Sequence, residues 1–297
     1  MEEQPAHDNP EDMVPDFRTF PLIYTRPDMR EMTRLPDITY KTLENEIELK
    51  MDIYYPDTYD GQTLLPAVLF VHGDAPPEFL SHAKDWTCYV GWGELIASSG
   101  LAAVVFNHRS TEMLQKVYES AADVDDLIKY IRAHSHDLGI DSERLGIWTC
   151  SAGSYRGLRA ALRGSPTYIR CAVSYYGVVD LKVFFTQPEN AAKAADEGPE
   201  QPTLQLSEET FKEFAATTYL RQESTIPPLL IVRAGLDNPA LNAGIDEFMQ
   251  LAVQRNLDVN FMNHATGHHA FDMLDNNERS REIIRATLDF FTTHLSE

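Results

Sequence analysis

The sequence is poor in cysteine, in basic residues and in long apolar runs, and each shortage excludes something. Three cysteines among 297 residues, Cys88, Cys150 and Cys171, are too few and too odd in number for a disulfide framework, and they point to a reducing compartment. Lys and Arg total 25 against 46 Asp and Glu, a formal net charge of −21. An acidic excess of this size works against binding nucleic acid or an anionic membrane surface. No stretch stays apolar for the length of a membrane-spanning helix. The segment Met1 to Asp16 is acidic, carries Pro5, Pro10 and Pro15, and has neither the basic nor the apolar region of a signal peptide. The expectation is a cytoplasmic protein with no nucleic-acid and no membrane partner. Internal repeats and zinc-finger or phosphate-loop motifs are also missing.

What is present suits one large core, since 43% of the residues are hydrophobic. Residues 1–20 read as a mobile acidic tail, with an arm packed on a partner subunit as the alternative, and residues 21–297 read as one domain. Between Asp37 and Tyr55 apolar and polar residues alternate, the period-two signature of half-buried strands, with Glu44-Asn45-Glu46 as the turn of a hairpin. The pattern then changes to continuous apolar runs. These are Ala67–Val71, Ala102–Phe106, Leu145–Thr149, Cys171–Tyr175, Leu229–Ala234 and the shorter Val259–Met262. Runs of this kind are expected of strands buried on both faces of a parallel sheet.

Helical patterns fall between the runs. Trp86 to Ser99 closes at Gly100, and Ser120 to His134 carries Val124, Leu127, Ile128 and Ile131 on one face. Pro239–Arg255 and Glu278–His294 behave alike. Strands alternating with helices predict an α/β fold, a mostly parallel sheet with helices on both faces. The segment 186–225 breaks the rhythm with Pro188, Pro202 and a helical patch near Glu208 to Leu220. It reads equally as a small lid over the strand ends and as an ordinary surface excursion.

The chemistry centres on Leu145 to Ser154. An apolar strand runs into small residues and then into a helix, so the turn residue is presented at the top of the sheet in a strained conformation. Its neighbours two before and two after must be small. Ser151 meets this with Thr149 and Gly153, whereas Cys150 would place Trp148 at one of those positions. The pattern resembles the nucleophile elbow, G-x-S-x-G, of the α/β-hydrolase family, with Thr149 in place of the first glycine.

A serine hydroxyl needs a base, and the base needs an orienting acid. In that family they follow in the order Ser, Asp or Glu, His, just past strand ends. Asp237 lies in the turn after the Leu229–Ala234 run and before a helix, where simple helix capping is the competing role. His264 to Asp272 follows the last short run. Its His-Ala-Phe-Asp ending is similar to the histidine loop of esterases and dienelactone hydrolases, which points to His269, with His268 as the alternative. His264 and His268 are four apart, but Gly267 and the loop context argue against a metal pair, so no metal or cofactor is expected.

The resemblance also implies an oxyanion hole built from Gly73 and Asp74, after His72-Gly73, and from Ala152. Asp74 departs from the family's glycines, and its carboxylate would oppose an oxyanion unless turned away. His72 is expected to brace the loop. The implied function is a serine hydrolase cleaving a small-molecule carboxylic ester through Ser151, His269 and Asp237. A peptidase, a lactone hydrolase and a low-activity binding protein on the same scaffold are the alternatives. Substrate identity and oligomeric state, including a homodimer, stay open.

Overall fold

The computed structural model describes residues 16–30, 32–186 and 206–296. The strands are β1 Thr33–Thr42, β2 Glu48–Tyr55, β3 Leu65–Val71, β4 Ala102–Phe106, β5 Ile140–Cys150, β6 Ile169–Tyr175, β7 Leu229–Ala234 and β8 Val259–His264. They form one eight-stranded sheet in the order β1-β2-β4-β3-β5-β6-β7-β8. The hairpin β1–β2 is antiparallel, β2 meets β4 antiparallel, and every pairing from β4 to β8 is parallel. This is the α/β architecture that the apolar runs predict. Each of the six runs is a strand.

Side chains of one parallel strand alternate between the two faces and so feed two cores. Val68 and Phe70, Val105, Trp148, Val173 and Val232 join a core roofed by the helices Thr87–Ala97 and Glu278–Leu295. Ala67 and Leu69, Val104, Ile147, Ala172 and Ile231 join the opposite core, under the helices Val117–Ala133, Gly153–Leu162 and Pro239–Gln254. The stripe Val124, Leu127, Ile128 and Ile131 faces this second core. A large aliphatic side chain buried there contributes roughly 1.5–3 kcal/mol.

The sheet order fixes where chemistry can gather. Because β3 and β5 are neighbours, the loops leaving their C-terminal ends lie side by side. The loops after β7 and β8 are adjacent for the same reason. A smaller apolar cluster sits over these strand ends. It contains Leu114, Val117, Tyr155, Val178, Leu181 and Phe214, with Ala152 packed against it.

The segment 186–225 lies partly outside the described residues. Its described part holds two short helices, Glu208–Glu213 and Ala216–Gln222. Most of the N-terminal tail lies outside too, but Phe17 sits edge-on to Trp86 with ring centroids 5.1 Å apart. Among the described residues no helix is long and apolar enough to cross a membrane.

Candidate active site

Ser151 follows β5 directly, with φ of +51°, in the left-handed region that a non-glycine residue seldom occupies. The strain is held by backbone hydrogen bonds. Ser151 N donates to Tyr175 O at 3.0 Å, and Ser151 O accepts from Ser154 N at 3.1 Å and Val178 N at 2.9 Å. The small neighbours are explained by contact. A Cβ at Gly153 would stand 2.4 Å from His72 O and 2.5 Å from Val71 O, so β3 backbone occupies that space. Thr149 is tolerated because the facing helix carries Gly157, where a Cβ would meet Thr149 Cβ at 3.0 Å.

Three loops then converge. His269 Nε2 lies 3.0 Å from Ser151 Oγ, and His269 Nδ1 lies 2.7 Å from Asp237 Oδ2. With the carboxylate on Nδ1, that nitrogen carries the proton and Nε2 accepts from the serine hydroxyl. Asp237 is almost wholly covered, while the His269 side chain is 41% exposed. Helix capping does not occupy Asp237, because Asn238 is the cap: its Oδ1 accepts from Ala240 N at 2.9 Å. Two backbone bonds tie the acid loop to the β8 strand end and histidine loop, Gly235 N to His264 O and Leu236 N to Gly267 O, both 2.8 Å.

Of the adjacent histidines, His269 is the one that meets Ser151. His268 is turned aside, its backbone N donating to Asp275 Oδ2 at 2.7 Å and its Nδ1 3.1 Å from Asp275 Oδ1. Ala270, at φ of +59°, makes the backbone turn that follows. His264 is buried, with Nε2 2.9 Å from Ser280 Oγ. Cys150 is buried as well. Burial pushes its thiol up to about 12, against the opposing hydrogen bonds of Tyr89 and the Gly73 amide, so it stays a neutral thiol.

The loop after β3 is braced as expected. His72 Nδ1 is 2.9 Å from Gly73 O, and the ring stacks on that of His108 with centroids 3.7 Å apart. His108 Nε2 lies 3.1 Å from His72 O, which also accepts from Arg156 Nη2 at 3.3 Å. Burial holds both imidazoles neutral, His72 well below its usual range and His108 down at about 3.

Of the three residues expected at the oxyanion hole, Gly73 lies against the elbow: a Cβ there would stand 3.4 Å from Ser151 Cβ and 3.8 Å from Ser151 Oγ. Among the described residues, the amides of Asp74 and Ala152 donate to no backbone carbonyl. The Asp74 carboxylate is engaged by Thr111, through its backbone N at 3.2 Å and through its hydroxyl.

Two groups near the site make contacts that the local sequence does not announce. Asp272, fully buried, accepts from Trp92 Nε1 at 3.0 Å and from Tyr176 OH at 2.7 Å. Tyr176 lies against His269. Their partners are 96 and 180 residues apart in sequence, so no local pattern announces them.

Comparison with known proteins supports this picture at the level of fold and family. The apo form of esterase 2 from Thermogutta terrifontis superposes with a TM-score of 0.66 at 16% identity, covering 90% of this chain and 96% of that one. The same enzyme phosphorylated by paraoxon gives 0.64 at 16% identity, with 90% and 95% covered. Its butyrate-bound form gives 0.64 at 17% identity, with 90% and 95% covered. No curated protein matches by sequence. The BD-FAE family profile matches residues 51–243, well over half of the chain, including the strands that carry Ser151 and Asp237. The chain therefore has the α/β-hydrolase fold and belongs to the BD-FAE family.

Proposed function

We propose that the chain is a serine hydrolase that cleaves a carboxylic ester through an acyl-enzyme. The observation that carries this reading is the continuous relay from Ser151 Oγ to His269 Nε2 at 3.0 Å and from His269 Nδ1 to Asp237 at 2.7 Å. It is the geometry that general-base activation of a hydroxyl requires. The likeness to an esterase that paraoxon phosphorylates supports the same reaction class.

Ser151 Oγ attacks the ester carbonyl carbon as its proton passes to His269 Nε2. Asp237 holds the ring in the correct tautomer and stabilises the imidazolium. The carbonyl oxygen becomes an oxyanion, for which the Asp74 and Ala152 amides are the available donors. Collapse of the intermediate breaks the bond to the alcohol oxygen, which takes the proton from His269. Water, deprotonated by the same imidazole, then attacks the acyl carbon, and the acid leaves with Ser151 restored.

The test is hydrolysis of nitrophenyl acetate, butyrate and octanoate by wild type and Ser151→Ala, beside labelling by a fluorophosphonate probe. Turnover and labelling that both vanish in the variant are expected. Equal turnover in the two proteins would overturn the mechanism. A folded wild type that neither hydrolyses nor labels would leave a binding role for the scaffold.

A further inference from the structure

Asp74 sets a problem for this site. Its amide is a candidate oxyanion donor, yet its own side chain carries the charge that would repel an oxyanion. The structure contains the answer in Thr111. The Thr111 backbone N lies 3.2 and 3.3 Å from the two carboxylate oxygens, and the Thr111 hydroxyl donates to Oδ2. Both donors come from one buried residue on the loop after β4. Close by, Arg156 is wholly buried and donates to Tyr155 OH at 3.0 Å and to His72 O at 3.3 Å. The carboxylate is thus turned onto fixed donors.

The same threonine holds a second feature. Glu112, Met113 and Leu114 stand consecutively at φ of +46°, +57° and +71°, a left-handed turn without glycine, asparagine or aspartate. Such a turn persists only where its surroundings over-determine it. Thr111 Oγ1 accepts from Leu114 N at 3.2 Å, and Thr111 O accepts from Lys116 N at 2.8 Å. Leu114 is thereby placed in the apolar cluster on which Ala152, the other candidate donor, packs.

We infer that Asp74 and Thr111 are a positioning pair for the oxyanion hole. The carboxylate, anchored on Thr111, fixes the turn that aims the Asp74 amide, and the anchored left-handed turn backs the wall beside Ala152. The inference rests on the serine-hydrolase reading. It assigns the site a requirement: the donors are rigid only while Thr111 keeps its hydroxyl.

The experiment compares wild type with Thr111→Val, Thr111→Ser and Asp74→Ala. The readouts are kcat and KM on nitrophenyl butyrate, the inhibition constant of a butyl boronic acid that mimics the tetrahedral intermediate, and thermal melting. For Thr111→Val we expect kcat to fall by about 10- to 100-fold, with the boronate constant weakened in parallel. KM should stay within about twofold, the pattern of an interaction made only in the transition state. Thr111→Ser keeps the hydroxyl and should retain kcat within about threefold.

A Thr111→Val protein with kcat and boronate affinity like wild type overturns the inference. So does a folded Thr111→Ser as impaired as Thr111→Val. Should Thr111→Val not fold, Asp74→Ala decides: parallel loss of kcat and boronate affinity supports the pair, and wild-type values for both overturn it. Failure of the reading beneath is seen separately. A wild type that neither hydrolyses the ester nor takes the fluorophosphonate on Ser151 overturns both. A wild type that does both, with Ser151→Ala silent, leaves the Thr111 variants to judge the pair alone.

Discussion

The hydroxyl of Tyr176 donates to Asp272 Oδ1 at 2.7 Å while its ring lies 4.7 Å from the ring of His269. A fully buried carboxylate, three residues beyond the proposed base, therefore fixes the aromatic surface on which that base rests. Its second oxygen accepts from Trp92 Nε1 at 3.0 Å. Burial raises the carboxyl above its usual range, against the lowering effect of these two bonds.

The two donors are not equivalent, and this sets the first prediction. An indole can only donate, whereas a phenol can donate or accept. Asparagine at this position can turn its oxygen to Trp92 and its amide nitrogen to Tyr176, keeping a partner for each ring. Asp272→Ala leaves both groups buried without partners and should cost roughly 3 kcal/mol or more. Asp272→Asn should cost clearly less. Urea unfolding of the two variants checks this, and equal losses would refute the account.

The second prediction concerns Thr149 and Gly157. A Cβ at Gly157 would stand 3.0 Å from Thr149 Cβ and 3.1 Å from its Oγ1. Gly157→Ala gains helix propensity of about 1 kcal/mol but overpacks this contact, for a net loss of about 1–2 kcal/mol. In a Thr149→Gly background the same change should become neutral or stabilising. The double-mutant cycle in urea should show a favourable coupling of about 1 kcal/mol or more, and additivity would mean the contact is relieved elsewhere.

The third follows from the stacked pair His72 and His108. Both are buried, and burial outweighs the carbonyls of His72 and Arg109 that pull His108 the other way, leaving it at about 3 against an ordinary 6.5. Below pH about 6.5 the unfolded chain binds protons that the folded imidazoles refuse. The unfolded state then holds more protons, so stability falls as pH falls from about 6.5 toward 3. Each imidazole contributes a slope of about 1.4 kcal/mol per pH unit in that window. His108→Gln should flatten the urea-unfolding dependence between pH 6 and 4 by one proton's worth. An unchanged slope would show that His108 does not carry it.

The elbow is legible in the sequence because its requirements are local. A strained turn between strand and helix excludes bulk two residues either side of it, and this alone separates Ser151 from Cys150. The parallel strands were legible because burial on both faces leaves no room for polar alternation. Less could be read where one residue has two roles open to it or two neighbours compete for one. Asp237 could cap its helix or face the base, and His268 or His269 could reach the serine. The contacts decide both: Asn238 takes the cap, and Asp275 draws His268 aside.

By itself the sequence determined the alternation of strands and helices, the order of Ser151, Asp237 and His269, and the steric frame of the elbow. These depend on periodicity and on residues within a few positions of one another. Only the tertiary structure decided that Asp74 turns to Thr111, that three non-glycine residues from Glu112 to Leu114 take left-handed backbone, and that Asp272 stands behind Tyr176. The first and last of these join residues 37 and 96 apart. A hydrogen bond at that separation exists because the sheet order brings loop ends together, and no local preference of the chain encodes it.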